Sequence, residues 1–137
     1  IVVDESPTSP IAGLDILVLD DEPLVARSVK RLLRDCNITV AASGCEGLDL
    51  IEERAQRPTE LPFDLVLCDL LMPKMDGQTF YLALVEAYPA AGERIVFTTG
   101  GVFHDGLARF VKEGAFPVLQ KPFQREDLER VARDMDL

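Results

Sequence analysis

The chain has 137 residues, the length of one domain, and its composition, 47% hydrophobic and 28% charged, is that of a globular protein and excludes a chain disordered throughout. Acidic side chains outnumber basic ones 24 to 14, a net charge of −10, which argues against a nucleic-acid backbone or an anionic membrane surface as direct partner and favours cations or basic surfaces. The cysteines, Cys36, Cys45 and Cys68, show no CxxC spacing, which disfavours a disulfide framework or a zinc site and fits a reducing, cytoplasmic setting.

Residues 1–13, IVVDESPTSPIAG, are rich in proline, serine and glycine and predict a linker, leaving 14–137 as the folded domain. A first residue of Ile rather than Met implies a segment of a longer chain. No apolar run approaches the roughly 20 residues that span a bilayer, and no signal-peptide pattern opens the chain, so direct membrane insertion of this segment is not expected.

ILVLD (16–20) and LVLCDL (65–70) are continuous apolar runs ending in aspartate, as in strands buried on both faces of a parallel sheet. ITVAA (38–42), IVFTT (95–99) and the short PVLQ (117–120) add three more. Between and after them run segments of helical period, marked by Val25, Val29 and Leu33; Leu48, Ile51 and Ala55; Phe80, Leu84 and Ala87; Leu107, Phe110 and Val111; Leu128, Val131 and Met135. Five strands alternating with five helices predict an α/β fold, a doubly wound parallel sheet with helices on both faces. Asp76-Gly77 reads as the start of the third helix and Asp21 with Pro23 as that of the first. RAQRPTELPFD (54–64) is a polar, proline-interrupted loop that carries no motif.

In such sheets ligands bind beyond the carboxyl ends of the strands. Here those ends carry Asp20-Asp21, Asp69, Thr98-Thr99, and Lys121 followed by Pro122. Three carboxylates brought together repel by about a few kcal/mol per close pair at an effective dielectric near 20, so a positive charge belongs among them. A hard divalent cation with oxygen ligands, the magnesium arrangement, satisfies this, and Lys121 adds an ammonium. Such a site suits phosphoryl transfer with an aspartate as nucleophile.

Five segments taken in order, LVLDDEP, LVLCDLLMPKMDG, the TTG after the fourth strand, GAFPVLQKPF and the final helix, resemble the receiver domain of two-component and phosphorelay signalling proteins over about residues 14–135. The resemblance implies a flavodoxin-like (CheY-like) sheet of order 2-1-3-4-5. It makes Asp69 the phospho-acceptor and implies that Mg2+ is bound by Asp20, Asp21, Asp69 and the backbone carbonyl of Leu71. Thr99, which precedes Gly100, and Lys121 become the groups that contact the phosphoryl group, and Lys121–Pro122 becomes a cis peptide. The implied donor is a phosphohistidine on a histidine kinase or histidine phosphotransfer domain. Such a domain phosphorylates and dephosphorylates itself without being a conventional enzyme. The fourth helix, fifth strand and fifth helix are the implied output or homodimer face, no nucleic acid is expected as partner, and the parent chain fits a hybrid sensor histidine kinase or a single-domain regulator. One departure stands out: Val118 occupies the switch position where many receivers carry an aromatic residue, and Phe116 lies two residues earlier on an alternating strand.

The rival from another class is a pseudo-receiver that serves only as a protein-binding module. A haloacid-dehalogenase-type phosphatase would need a second aspartate two residues after Asp69, where Leu71 stands, and a flavodoxin-like flavin binder would need a Ser/Thr-rich loop after the first strand instead of Asp20-Asp21-Glu22. His104 has no partner pattern and reads as a solvated loop residue; Cys68 reads as a buried structural thiol facing away from Asp69.

Overall fold

The computed structural model of the chain describes residues 9–135 and 137. Five strands, β1 (Asp15–Leu19), β2 (Asn37–Ala41), β3 (Leu65–Asp69), β4 (Ile95–Thr99) and β5 (Val118–Gln120), alternate with five helices, α1 (Pro23–Leu32), α2 (Gly44–Arg54), α3 (Gly77–Ala87), α4 (Asp105–Gly114) and α5 (Arg125–Asp134). The strands form one parallel sheet in the order β2-β1-β3-β4-β5, as expected. A 3-10 segment at Pro89–Arg94, which the sequence did not suggest, buries Ala91 between α3 and β4.

Strand alternation divides the core in two. Ile16, Val18, Leu65, Leu67 and Val96 face Val29 and Leu33 of the α1 region and Leu128 and Ala132 of α5. Leu17, Leu19, Val66, Cys68 and Phe97 face Ile51 of α2 and Phe80 and Leu84 of α3, with Phe110 and Val111 of α4 packed on the same cluster. The central strands are buried on both sides, which is why they read as unbroken apolar runs. Each fully buried Leu, Ile or Phe contributes roughly 1.5–3 kcal/mol.

Polar groups end these elements. Asp76 caps α3, its Oδ1 accepting from Thr79 N at 2.9 Å; Ser43 caps α2 by accepting from Glu46 N at 3.1 Å. Asp21 does not start α1. The residue before its first turn is Glu22, without a side-chain cap, and Pro23 opens the helix. The Glu22 amide donates instead to Asp20 Oδ1 at 2.9 Å, which leaves Asp21 free to point elsewhere. His104, expected as a bare loop residue, caps α4: its Nδ1 accepts from Leu107 N at 3.2 Å.

Residues 1–8 of the expected linker lie outside the described residues, but residues 9–13 are folded onto the domain. Ile11 is fully buried among the α1 and α5 residues, a role that composition hid because one apolar side chain among turn formers leaves no periodicity. Its carbonyl accepts from Cys36 Sγ at 3.1 Å, and Gly13, at φ +78°, donates to Asp35 O at 2.8 Å. Arg125 of α5 closes the seam, with Nη1 2.7 Å and Nη2 2.8 Å from the Asp35 carboxylate and Nη2 3.1 Å from Ser9 Oγ. The loop at 55–64 also contributes apolar cover through buried Leu61 and Phe63, the latter under the Arg54 guanidinium at 5.1 Å from the ring centroid.

Candidate functional site

Parallel strands all end on the same edge, so residues 20, 21, 69, 98, 99 and 121 meet there despite their separation in the chain. Asp20 follows β1 directly, Asp69 ends β3, Thr99 ends β4, and Lys121 follows β5. Asp20, Asp21 and Asp69 each offer a carboxylate oxygen, and these atoms lie within 4.8 Å of one another. Asp20 and Asp69 are each only 4% exposed, whereas Asp21 is open to solvent.

Lys121 Nζ donates to Asp20 Oδ2 and to Asp69 Oδ2, both at 3.0 Å, and so ties two strand ends together. The second oxygen of each aspartate is held by backbone: Asp20 Oδ1 by the Glu22 amide, and Asp69 Oδ1 by the Leu71 amide at 3.1 Å. These two amides are invisible in the sequence, because any non-proline residue two positions on can supply them. The bonding gives each of the four carboxylate oxygens of Asp20 and Asp69 one partner.

One ammonium among three carboxylates leaves a deficit of two positive charges. Burial pushes the Asp69 carboxyl above its usual range; the Leu71 amide and Lys121 pull it back only in part, and Asp20 adds repulsion. Burial also works against the Lys121 ammonium, but the hydrogen bonds and charges of Asp69 and Asp20 outweigh it and raise its pKa. With these oxygens within 4.8 Å of one another, each like-charged pair costs about 3.5 kcal/mol or more at an effective dielectric near 20. A compact hard cation of charge +2 with oxygen ligands fits this donor set, and Zn2+, which prefers Cys and His, does not.

Thr98 and Thr99 are both buried. Thr99 Oγ1 donates to Gly101 O at 3.1 Å and accepts from Gly101 N at 3.4 Å, so its hydroxyl is engaged in the β4–α4 loop. Thr98 pairs in register with Asp69 across the β3–β4 ladder. The Lys121–Pro122 peptide is cis. Leu71 is partly exposed at the rim of the site. Cys68 is fully buried, one residue from Asp69 and on the sheet face that packs against α2 and α3, and burial pushes its thiol well up.

Val118 is half-buried and pairs with Phe97. Phe116 precedes β5 rather than lying on it and joins an aromatic cluster that the sequence did not disclose. Its ring centroid is 4.7 Å from Tyr81, 4.9 Å from Phe110 and 5.3 Å from Phe97, mostly edge to face. The aromatic mass on this face therefore comes from α3, β4, α4 and residue 116, and none of it from position 118.

No helix among the described residues is long and apolar enough to cross a membrane. A known protein similar to the chain is Sensor kinase CckA of Brucella abortus, 31% identical over 134 residues, which span 96% of this chain and 13% of that protein. The chain covers well under two thirds of the length of such curated relatives. Among solved structures, a response regulator receiver domain protein from Clostridium thermocellum superposes with a TM-score of 0.71 at 29% identity, over 88% of this chain and 91% of that one. The receiver domain of the histidine kinase CKI1 from Arabidopsis thaliana, solved with Mg2+ and BeF3−, shares the fold with a TM-score of 0.72 at 22% identity, over 95% of each chain. The response regulator receiver domain model matches residues 16–133, and with the carboxylate cup at the strand ends it places this chain in that family of two-component signalling domains.

Proposed function

We propose that this receiver domain takes a phosphoryl group onto Asp69 from a phosphohistidine of a partner histidine kinase or histidine phosphotransfer domain, with Mg2+ as cofactor. The observation that carries the reading is Lys121 Nζ at 3.0 Å from both Asp20 and Asp69, bridging two of three clustered carboxylates that together remain undercompensated. Asp20, Asp21 and Asp69 would hold the ion, together with the Leu71 carbonyl. When bound, the ion supplies positive charge that lets anionic phosphoryl oxygens approach an anionic acceptor.

The chain's own groups do the rest. The Leu71 amide and Lys121 fix the Asp69 carboxylate so that one oxygen meets the phosphorus in line with the leaving imidazole nitrogen. The O–P bond forms as the N–P bond breaks, and the bonding pair of the latter returns to the imidazole. Lys121 then transfers its hydrogen bond from the acceptor oxygen to the phosphoryl group. Thr99 is placed to exchange its Gly101 partner for a phosphoryl oxygen, which would draw in the β4–α4 loop. Because β5 leads straight into Lys121, this shift would reach the surface of α4, β5 and α5, the face we assign to output or self-association, in a cytoplasmic setting.

Labelling with acetyl phosphate and Mg2+ tests the assignment. The wild type should gain one base-labile phosphoryl group and Asp69→Ala none. Full labelling of that variant would reject Asp69. No labelling of the wild type, with no saturable Mg2+ binding, would leave a protein-binding module.

A further inference from the structure

We infer that residues 9–13 form a strap whose seating and the loading of Asp69 strengthen one another, so that the polypeptide entering the domain ahead of β1 is coupled to the state of the acceptor. The inference rests on the phosphoacceptor reading above and adds a route by which that site communicates.

The strap is held by more than its apolar plug. Ser9 Oγ accepts from the Ile11 amide at 3.4 Å and from Arg125 Nη2 at 3.1 Å, and donates to Glu129 Oε2 at 2.9 Å. The Ile11 carbonyl accepts from both Leu14 N and Cys36 Sγ, each at 3.1 Å. Arg125 is the hub: besides Ser9 it grips both oxygens of Asp35, donates to Leu32 O at 3.4 Å and lies 3.5 Å from the Glu129 carboxylate. A seal over the core requires only the buried Ile11 side chain. The polar lock on Ser9 is additional, and it is built on the first two turns of α5.

The start of α5 is also tied to the acceptor. Lys121 and Arg125 are four residues apart, at most about 14 Å of chain. The segment between them is anchored along its length: Lys121 N donates to Thr99 O at 2.7 Å, Phe123 is buried in the cluster that holds Ile11, and Gln124 and Asp127 form the capping box that opens α5. One end of this segment grips Asp20 and Asp69 through Lys121, and the other grips Asp35 and Ser9 through Arg125. Contacts at the two ends share the entropy cost of ordering the segment, so fixing either end favours the other. A phosphoryl group on Asp69 gives the Lys121 ammonium a more highly charged partner and fixes the near end; the far end then holds the strap more firmly. Linkage makes the effect mutual, since a seated strap favours the loaded acceptor by the same factor.

The test loads the chain with Mg2+ and the phosphoryl mimic BeF3−, and follows hydrogen exchange of residues 9–14 together with iodoacetamide alkylation of Cys36, whose thiol bonds the strap. Both should slow about 5-fold or more on loading in the wild type, while Asp69→Ala shows no change and Cys45, exposed on α2, serves as the reagent control. Ser9→Ala removes the polar lock and leaves Ile11 in place; it should erase the difference between loaded and unloaded protein and weaken BeF3− binding by about the factor the wild type shows. Unchanged or faster exchange in the loaded wild type would overturn the proposal, and so would a Ser9→Ala protein that binds BeF3− as tightly as the wild type. Failure of acetyl phosphate labelling in the wild type would instead sink the phosphoacceptor reading.

Discussion

Gly77 opens α3 against the end of β3, and Gly77→Ala measures how tightly that helix holds the acceptor strand. A Cβ there would stand 3.0 Å from Leu70 Cα, 3.1 Å from Asp69 O and 3.1 Å from Phe97 Cε1. Carbon contacts are comfortable at about 3.5–4.0 Å, and two of these three atoms are backbone that cannot rotate away. The first turn of α3 must therefore retreat by about 0.5 Å, lengthening the 3.0 Å bond from Gly77 N to Leu70 O. Overpacking of this kind costs about 1–3 kcal/mol, and the helix preference of Ala over Gly returns at most about 1 kcal/mol. The net expectation is a loss of about 1–2 kcal/mol in urea unfolding, together with slower acetyl phosphate labelling, because Asp69 moves with its strand end. Gly101→Ala is the control: nothing lies within 4 Å of its Cβ and its φ is outside the left-handed region, so it should stay within about 0.5 kcal/mol of the wild type. A Gly77→Ala protein as stable as that control would refute the packing argument.

Asp69→Asn should raise the melting temperature at neutral pH without divalent cations. Burial lifts the folded carboxyl above 3.8, so wild-type stability falls as pH rises through that range, and the advantage of the variant should close as pH drops below it; a less stable variant at pH 7 would contradict this. Lys121 works the other way: its stabilisation is present at neutral pH and is lost only as pH rises past 10.5 through its raised value, which Lys121→Met would abolish in an alkaline melting series. Added Mg2+ should stabilise the wild type by about 2.7 kcal/mol at a hundredfold excess over its Kd and EDTA should reverse the gain, whereas an unmoved melting curve would speak against cation binding. Ile11→Ala should cost about 2–5 kcal/mol in urea unfolding, and a loss below 0.5 kcal/mol would return residues 9–13 to the linker.

Much of the fold was legible because parallel strands buried on both faces need unbroken apolar runs, and ILVLD, LVLCD and IVFTT are such runs. The helices showed through their period and, for α3, through Asp76 ahead of Gly77. Features that rest on a single side chain were hidden. Ile11 has no periodic neighbours, His104 caps through a ring nitrogen in a role usually filled by Ser, Thr, Asp or Asn, and Asp21 and Asp20 cannot be told apart as cap or ligand while they stand side by side.

The order of residues along the chain determined by itself that three aspartates, a threonine pair and a lysine would end or follow strands, and therefore lie at one edge of the sheet. It determined the acidic balance as well, since net charge is a property of composition. Only the tertiary structure decided that Lys121 bridges Asp20 and Asp69 instead of pairing with one, that the Glu22 and Leu71 amides hold the remaining oxygens, and that Phe116 leaves β5 to pack on Tyr81. The Lys121 contacts join segments 101 and 52 residues apart and depend, like the Phe116 packing, on how side chains fill the space between helices and sheet, whereas the two amide contacts are local but need only a backbone N–H, so no residue type marks them.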